Sequence, residues 1–147
     1  MKARDIMTPN PDVVTPDDSI QKAARIMRDS NIGMVPVVDD TTTRTLKGVL
    51  TDRDIVIRHV AGDHDASCKV GDHMTAERVD TARADDDVRD VVARMEREQV
   101  RRIPVVGDGF RLEGVIAQAD VARRMGEREP LLVKDLVEKV SEPPTGA

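Results

Sequence analysis

The sequence predicts an α+β fold of two β-α-β-β-α repeats, packed sheet to sheet about a pseudo-twofold axis. Three observations lead there. First, three blocks return in the same order at offsets of 66 to 68 residues: Ile6-Met7-Thr8 as His73-Met74-Thr75, Ile32–Val38 as Val100–Val106, and Leu46–Leu50 as Leu112–Ile116. Second, each copy alternates a helical apolar stripe with short β-branched runs. Third, a sheet of three strands of ~5 residues has too little core to stand alone, and two copies facing each other supply it. The larger slippage falls between the second and third blocks, where seven residues (39–45) stand against five (107–111). Loops absorb such changes and packed elements do not.

The elements follow in order. Val13-Val14 and, in the second copy, Val79 read as a short first strand. Pro16-Asp17-Asp18-Ser19 opens a helix whose face carries Ile20, Ala23, Ala24 and Met27. Asp85-Asp86-Asp87 opens its counterpart, with Val88, Val91, Val92 and Met95. Acidic residues in a first turn suit the positive end of a helix dipole. Val35–Val38 and Ile103–Val106 read as strands with Pro36 and Pro104 at their starts, where no ladder donor is needed. Polar turns lead into strands Leu46–Leu50 and Leu112–Ile116, then into helices over about 52–60 and 118–125, with Thr51 as N-cap of the first. Leu132, Val133, Leu136, Val137 and Val140 share one side of a terminal helix that packs on the pair or on a second subunit, and Ser141–Ala147 reads as frayed. The domain organisation is repeat 1 over 4–62, a connection over 63–72, repeat 2 over 73–126 and the terminal helix with its tail over 127–147.

Composition narrows the function. The chain has 147 residues, 35% charged and 39% hydrophobic, with net charge −5. A chain of this size buries roughly two-thirds of its unfolded surface and needs no disulfide or metal staple. No basic field exists to capture nucleic acid or an anionic membrane. With no Trp, no Tyr and one Phe, a base-stacking platform is excluded. The single Cys68 forms no internal disulfide, which fits a reducing cytoplasm. No apolar run follows Met1–Met7, so no signal peptide is expected, and no stretch approaches the ~18 apolar residues of a membrane span. No G-x-S-x-G, G-x-x-x-x-G-K-[ST] or H-E-x-x-H pattern occurs, so a non-catalytic protein is expected.

V-P-V-V followed by G-V-L-T-D-R-D-I, then R-I-P-V-V followed by G-V-I-A-Q-A-D-V, resembles a tandem pair of CBS domains, a Bateman module. The likeness spans about Arg4 to Met125. Thr51–Ile57 and Gln99–Pro104 are further similar to small stand-alone CBS-pair proteins of the hypoxic response type. The resemblance implies a homodimeric regulatory module with no cofactor requirement. It implies an adenosine nucleotide (AMP-, ADP- or ATP-like) held in clefts between the repeats, and signalling through dimer geometry to a regulated partner not identified by the sequence. A constitutive stress-related interaction protein with vestigial clefts is the alternative.

A nucleotide asks for a carboxylate on its ribose hydroxyls, a hydroxyl, backbone N–H groups and a cation on phosphate, and apolar walls for adenine. By the family pattern Thr51 and Arg53 serve phosphate and Asp54 the ribose; Thr51 and Asp54 are equally spaced for a capping box. The second copy keeps Asp120 but has Ala117 and Ala119 where Thr51 and Arg53 stand. The resemblance brings Arg101 and Arg102 towards phosphate in the cleft of Asp120, and Thr15 to its adenine side; a surface or inter-subunit salt bridge is the other reading of the arginine pair. Gly33, before Met34, permits close ligand approach and a positive φ, or ends the preceding helix. His59, His64, Cys68 and His73 are zinc-ligand types separated by four, three and four residues across a helix end and the inter-repeat connection; no standard finger has this spacing, and a histidine-rich polar linker rather than a metal site is expected.

Overall fold

The computed structural model describes residues 1–77 and 79–143. Its elements are α1 (Ala3–Ile6), β1 (Thr8–Pro9), α2 (Ile20–Ser30), β2 (Met34–Val38), β3 (Leu46–Thr51), α3 (Asp52–Asp54) continuing into a π-helical segment (Ile55–Val60), α4 (Val70–His73), β4 (Ala82–Arg83), α5 (Val88–Glu98), β5 (Arg102–Val106), a 3-10 turn (Asp108–Phe110), β6 (Leu112–Ala117), α6 (Gln118–Met125) and α7 (Pro130–Ser141). No helix among the described residues is long and apolar enough to cross a membrane.

The chain divides into two compact units. One comprises 1–10, 80–107 and 113–147; the other 11–79 and 108–112. In the first, a four-stranded sheet runs in the order β1-β6-β5-β4. In the second, β2 and β3 pair antiparallel, Met34 opposite Thr51 and Val35 opposite Leu50. Single bridges extend that pair on both sides, Val14 parallel to Val37 and Thr75 antiparallel to Val49. Each bridge repeats a strand pairing of the other unit, β4 with β5 and β1 with β6. Both sheets thus gain an edge that the expected three strands lacked, contributed by the Met-Thr segment (Thr8 or Thr75).

The helices obey their sequence signals. The Ser19 hydroxyl accepts the Lys22 N–H at 3.0 Å, and the Asp87 carboxylate accepts the Arg89 N–H at 2.9 Å. Ile20, Ala23 and Met27 are buried on α2, and Val88, Val91, Val92 and Met95 on α5. The left-handed residue closing α2 is Asn31 (φ 53°), not Gly33, and Gln99 (φ 53°) takes the same place after α5.

Four expectations need correction. The short strand of the second copy is Ala82–Arg83, not Val79, because Ala82 is the residue opposite Val105. Pro36 and Pro104 stand in mid-strand rather than at its start. Pro36 lies opposite Val49, whose backbone bonds go to Thr75; its own carbonyl accepts the Val14 N–H at 3.1 Å. The missing Pro36 N–H falls ahead of a one-residue bridge, so no ladder bond is lost. The helix after Thr51 is α-helical for one turn only and then widens into the π-segment. Finally, Val137, expected on the packed side of the terminal helix, stays exposed; α7 does pack on the pair as expected, against α5 and α6, with Leu136 and Val140 buried and Leu132 and Val133 partly covered. Of the tail expected to fray, 144–147 lie outside the described residues.

Candidate functional site

At the end of β3 the chain turns into α3 through a capping box. The Asp54 N–H donates to the Thr51 hydroxyl oxygen, and the Thr51 N–H donates to Asp54 Oδ2, both at 3.0 Å. The Asp52 N–H donates to the Gly33 carbonyl at 2.9 Å. Since Met34 lies opposite Thr51, five of the sequence candidates (Gly33, Met34, Thr51, Arg53 and Asp54) meet where β2 begins and β3 ends. Asp54 Oδ1 lies 3.8 Å from the Arg58 guanidinium. That carboxylate therefore keeps acceptor capacity, and the Thr51 hydroxyl keeps its proton to donate. Beside them a depression of about 330 Å³ is lined by Asp52, Arg53, Val56 and Ile57. The Arg53 side chain makes no ion pair among the described residues.

The second copy repeats the backbone and changes the side chains. The Gln118 N–H donates to the Arg101 carbonyl at 2.8 Å, as Asp52 does to Gly33. Arg101, Arg102, Ala117, Gln118, Ala119 and Ala122 line a depression of about 260 Å³. The arginine pair thus lies beside the strip that carries Ala117 and Ala119. Neither guanidinium makes a salt bridge or side-chain hydrogen bond among the described residues. Asp120 is more committed than Asp54: it is buried, Oδ2 accepts the Ala117 N–H at 2.8 Å, and Oδ1 accepts from Arg123 at 2.6 Å.

Thr15 follows directly after the Val14 bridge, and its N–H donates to Asp18 Oδ2 at 2.8 Å. Arg83 makes the same backbone bond to Asp86 at 3.0 Å, which establishes the two positions as counterparts. Burial pushes the Asp18 carboxyl up, but the Thr15 N–H and the Lys22 ammonium outweigh it and hold it below 3.8.

Of the four residues flagged as metal-ligand types, three converge: one ligand atom each of His59, Cys68 and His73 lies within 4.8 Å of the others. The His64 ring sits beside them, 4.8 Å from that of His73 and 6.2 Å from that of His59. Burial and the neighbouring His64 and His59 rings keep His73 below 6.5. Burial, then Asp65 and Asp72, push the Cys68 thiol up.

Arg58 and Arg123, partners of the two site carboxylates, were missed in the sequence. Their i,i+4 and i,i+3 spacing from Asp54 and Asp120 was the available signal.

A family model for the CBS domain matches residues 3–59 and 70–127. The chain belongs to the CBS-domain family and carries the domain twice. Hypoxic response protein 1 of Mycobacterium tuberculosis is 34% identical over 125 residues, 85% of this chain and 85% of that protein. A crystal structure of Hypoxic Response Protein I with two coordinated zinc ions matches with TM-score 0.75 and 34% identity, covering 84% of this chain and 98% of that one. The CBS domain pair of MJ0100, in complex with 5'-methylthioadenosine and S-adenosyl-L-methionine, matches with TM-score 0.76 and 29% identity over 87% of this chain and 98% of that one. CBSX2 in complex with AMP matches with TM-score 0.74 and 27% identity, covering 86% and 96%.

Proposed function

We propose that this chain is a non-catalytic regulatory module that binds an adenosine-containing nucleotide, AMP-, ADP- or ATP-like, in the cleft that CBS pairs set between their repeats. The observation that carries the reading is the meeting of Gly33, Met34, Thr51, Arg53 and Asp54 at one strand end, with a hydroxyl, a carboxylate and a guanidinium beside a depression. Asp54 serves the ribose, Thr51 and Arg53 the phosphate. In the second cleft Asp120 serves the ribose, Arg101 and Arg102 replace the lost hydroxyl and cation, and Thr15 serves the adenine. The AMP complex of CBSX2 and the methylthioadenosine and S-adenosylmethionine complex of MJ0100 support an adenosine ligand. The module works in the cytoplasm as a homodimer whose geometry a regulated protein reads, and it needs no cofactor. A ligand shifts that geometry only by its difference in affinity between the two states.

The alternative, a constitutive interaction protein, draws on Ala117 and Ala119 and on the engagement of Asp120 by Arg123. A thermal-shift panel of AMP, ADP, ATP, NAD and S-adenosylmethionine decides. A true ligand at one hundred times its Kd stabilises by about 2.7 kcal/mol. No shift with any of them at millimolar concentration overturns the sensing reading and leaves the alternative.

A further inference from the structure

His59 lies in the last turn of the π-helical segment, Cys68 lies in the connection and His73 closes α4, so three separate stretches bring their donors to one point. His59 Nδ1 and His73 Nε2 are 3.2 Å apart. Two nitrogens each ~2.0–2.1 Å from one tetrahedral zinc ion stand about 3.3 Å from each other, so this pair already has the spacing of two ligands on one ion. Two imidazoles and a thiol suit a borderline-soft dication, whereas magnesium and calcium demand oxygen.

The scaffold holds this arrangement from several sides. The Arg58 guanidinium donates to the carbonyls of His73 at 3.0 Å and Met74 at 3.3 Å, tying the end of α4 to the π-segment. The His64 N–H donates to the His59 carbonyl at 3.1 Å, and the Cys68 N–H to that of Asp65 at 3.3 Å, folding the connection back over the helix end. At Gly62 a Cβ would come within 2.6 Å of the Arg58 carbonyl oxygen and 2.9 Å of His64 Cδ2, so the tight return there requires glycine. His73 is buried, while His59 and Cys68 are half-buried. The cluster is therefore fixed at its base and open to water on one side, as entry of an ion requires.

We propose that His59, Cys68 and His73 form a binding site for a dication of the zinc class, with water as the fourth ligand, clamping the inter-repeat connection to the end of the helix that begins at Thr51. None of these residues serves the nucleotide reading, so the site stands or falls by itself.

The test uses the full-length protein stripped with a chelator and titrated with cobalt(II). One equivalent gives tetrahedral d–d bands and a thiolate-to-cobalt charge-transfer band, and zinc displaces both. Cys68→Ser removes the charge-transfer band, and Cys68→Ser and His59→Gln each weaken zinc binding by at least about 100-fold with an unchanged circular dichroism spectrum. His64→Ala keeps the band and the stoichiometry. Absence of the bands in the unsubstituted protein, a charge-transfer band that survives Cys68→Ser, or loss of binding in His64→Ala equal to that in His59→Gln overturns the assignment.

Discussion

Asp54 and Asp120 occupy equivalent positions, yet their surroundings differ. Asp120 accepts a 2.6 Å bond from Arg123, whereas the cation beside Asp54 stands at 3.8 Å. A ligand hydroxyl displaces the looser partner at less expense. Asp54→Ala should therefore weaken nucleotide binding by about 1.5–3 kcal/mol, the range for a hydrogen bond to a charged group, read by calorimetric titration. The same change should lower stability by about 1 kcal/mol through the lost cap, read by denaturant melts. Unchanged affinity with lowered stability would reduce Asp54 to a helix cap. Asp18 offers a pH test. Its carboxyl is held below 3.8 in the folded chain, so its contribution is present above the unfolded value and fades as pH falls through the folded one. Asp18→Asn should flatten the acid limb of a Tm-against-pH curve and lower Tm at pH 7; a parallel displaced curve would refute the linkage.

At the level of elements, the two sheet edges depend on glycine. A Cβ at Gly48 would lie 2.4 Å from the Thr75 carbonyl oxygen, and Val49 and Thr75 exchange both backbone bonds at 2.9 and 2.8 Å. Gly48→Ala should destabilise by about 1–3 kcal/mol through forced backbone shifts, with hydrogen exchange at Thr75 accelerated; retained protection there would contradict the close approach. Leu136 is fully buried on α7. Leu136→Ala should cost about 2–5 kcal/mol in chemical denaturation, and a cost near zero would mean that α7 is not docked. Both amphipathic helices were legible because their stripes and caps are local signals. The Thr8 and Thr75 edges were not, because two-residue strands carry no period and are defined only by their partners. The mid-strand prolines escaped for the same reason: whether an N–H is needed depends on which neighbour lies alongside.

For the whole molecule, the sequence repeat and the compact unit are different divisions. Residues 4–10 belong to the first copy by sequence but pack with 80–107 and 113–147. Association is the other question at this scale. Val56, Ile57 and Val60 are 53–63% exposed on the π-segment, an apolar face that a second copy would cover. Sedimentation should show a dimer at micromolar concentration, and Val56→Glu with Ile57→Glu should shift it towards monomer; a monomeric parent protein would refute the homodimer.

Sequence alone determined the duplication, the two long amphipathic helices and the central strands of each copy, because periodicity, caps and repeated blocks are properties of neighbours along the chain. Tertiary structure decided which of those residues meet. Gly33 reaches Asp52, Arg58 reaches both Asp54 and His73, and His59 reaches Cys68 and His73. Such encounters are set by how strands register and helices widen or end, and no local spacing encodes them.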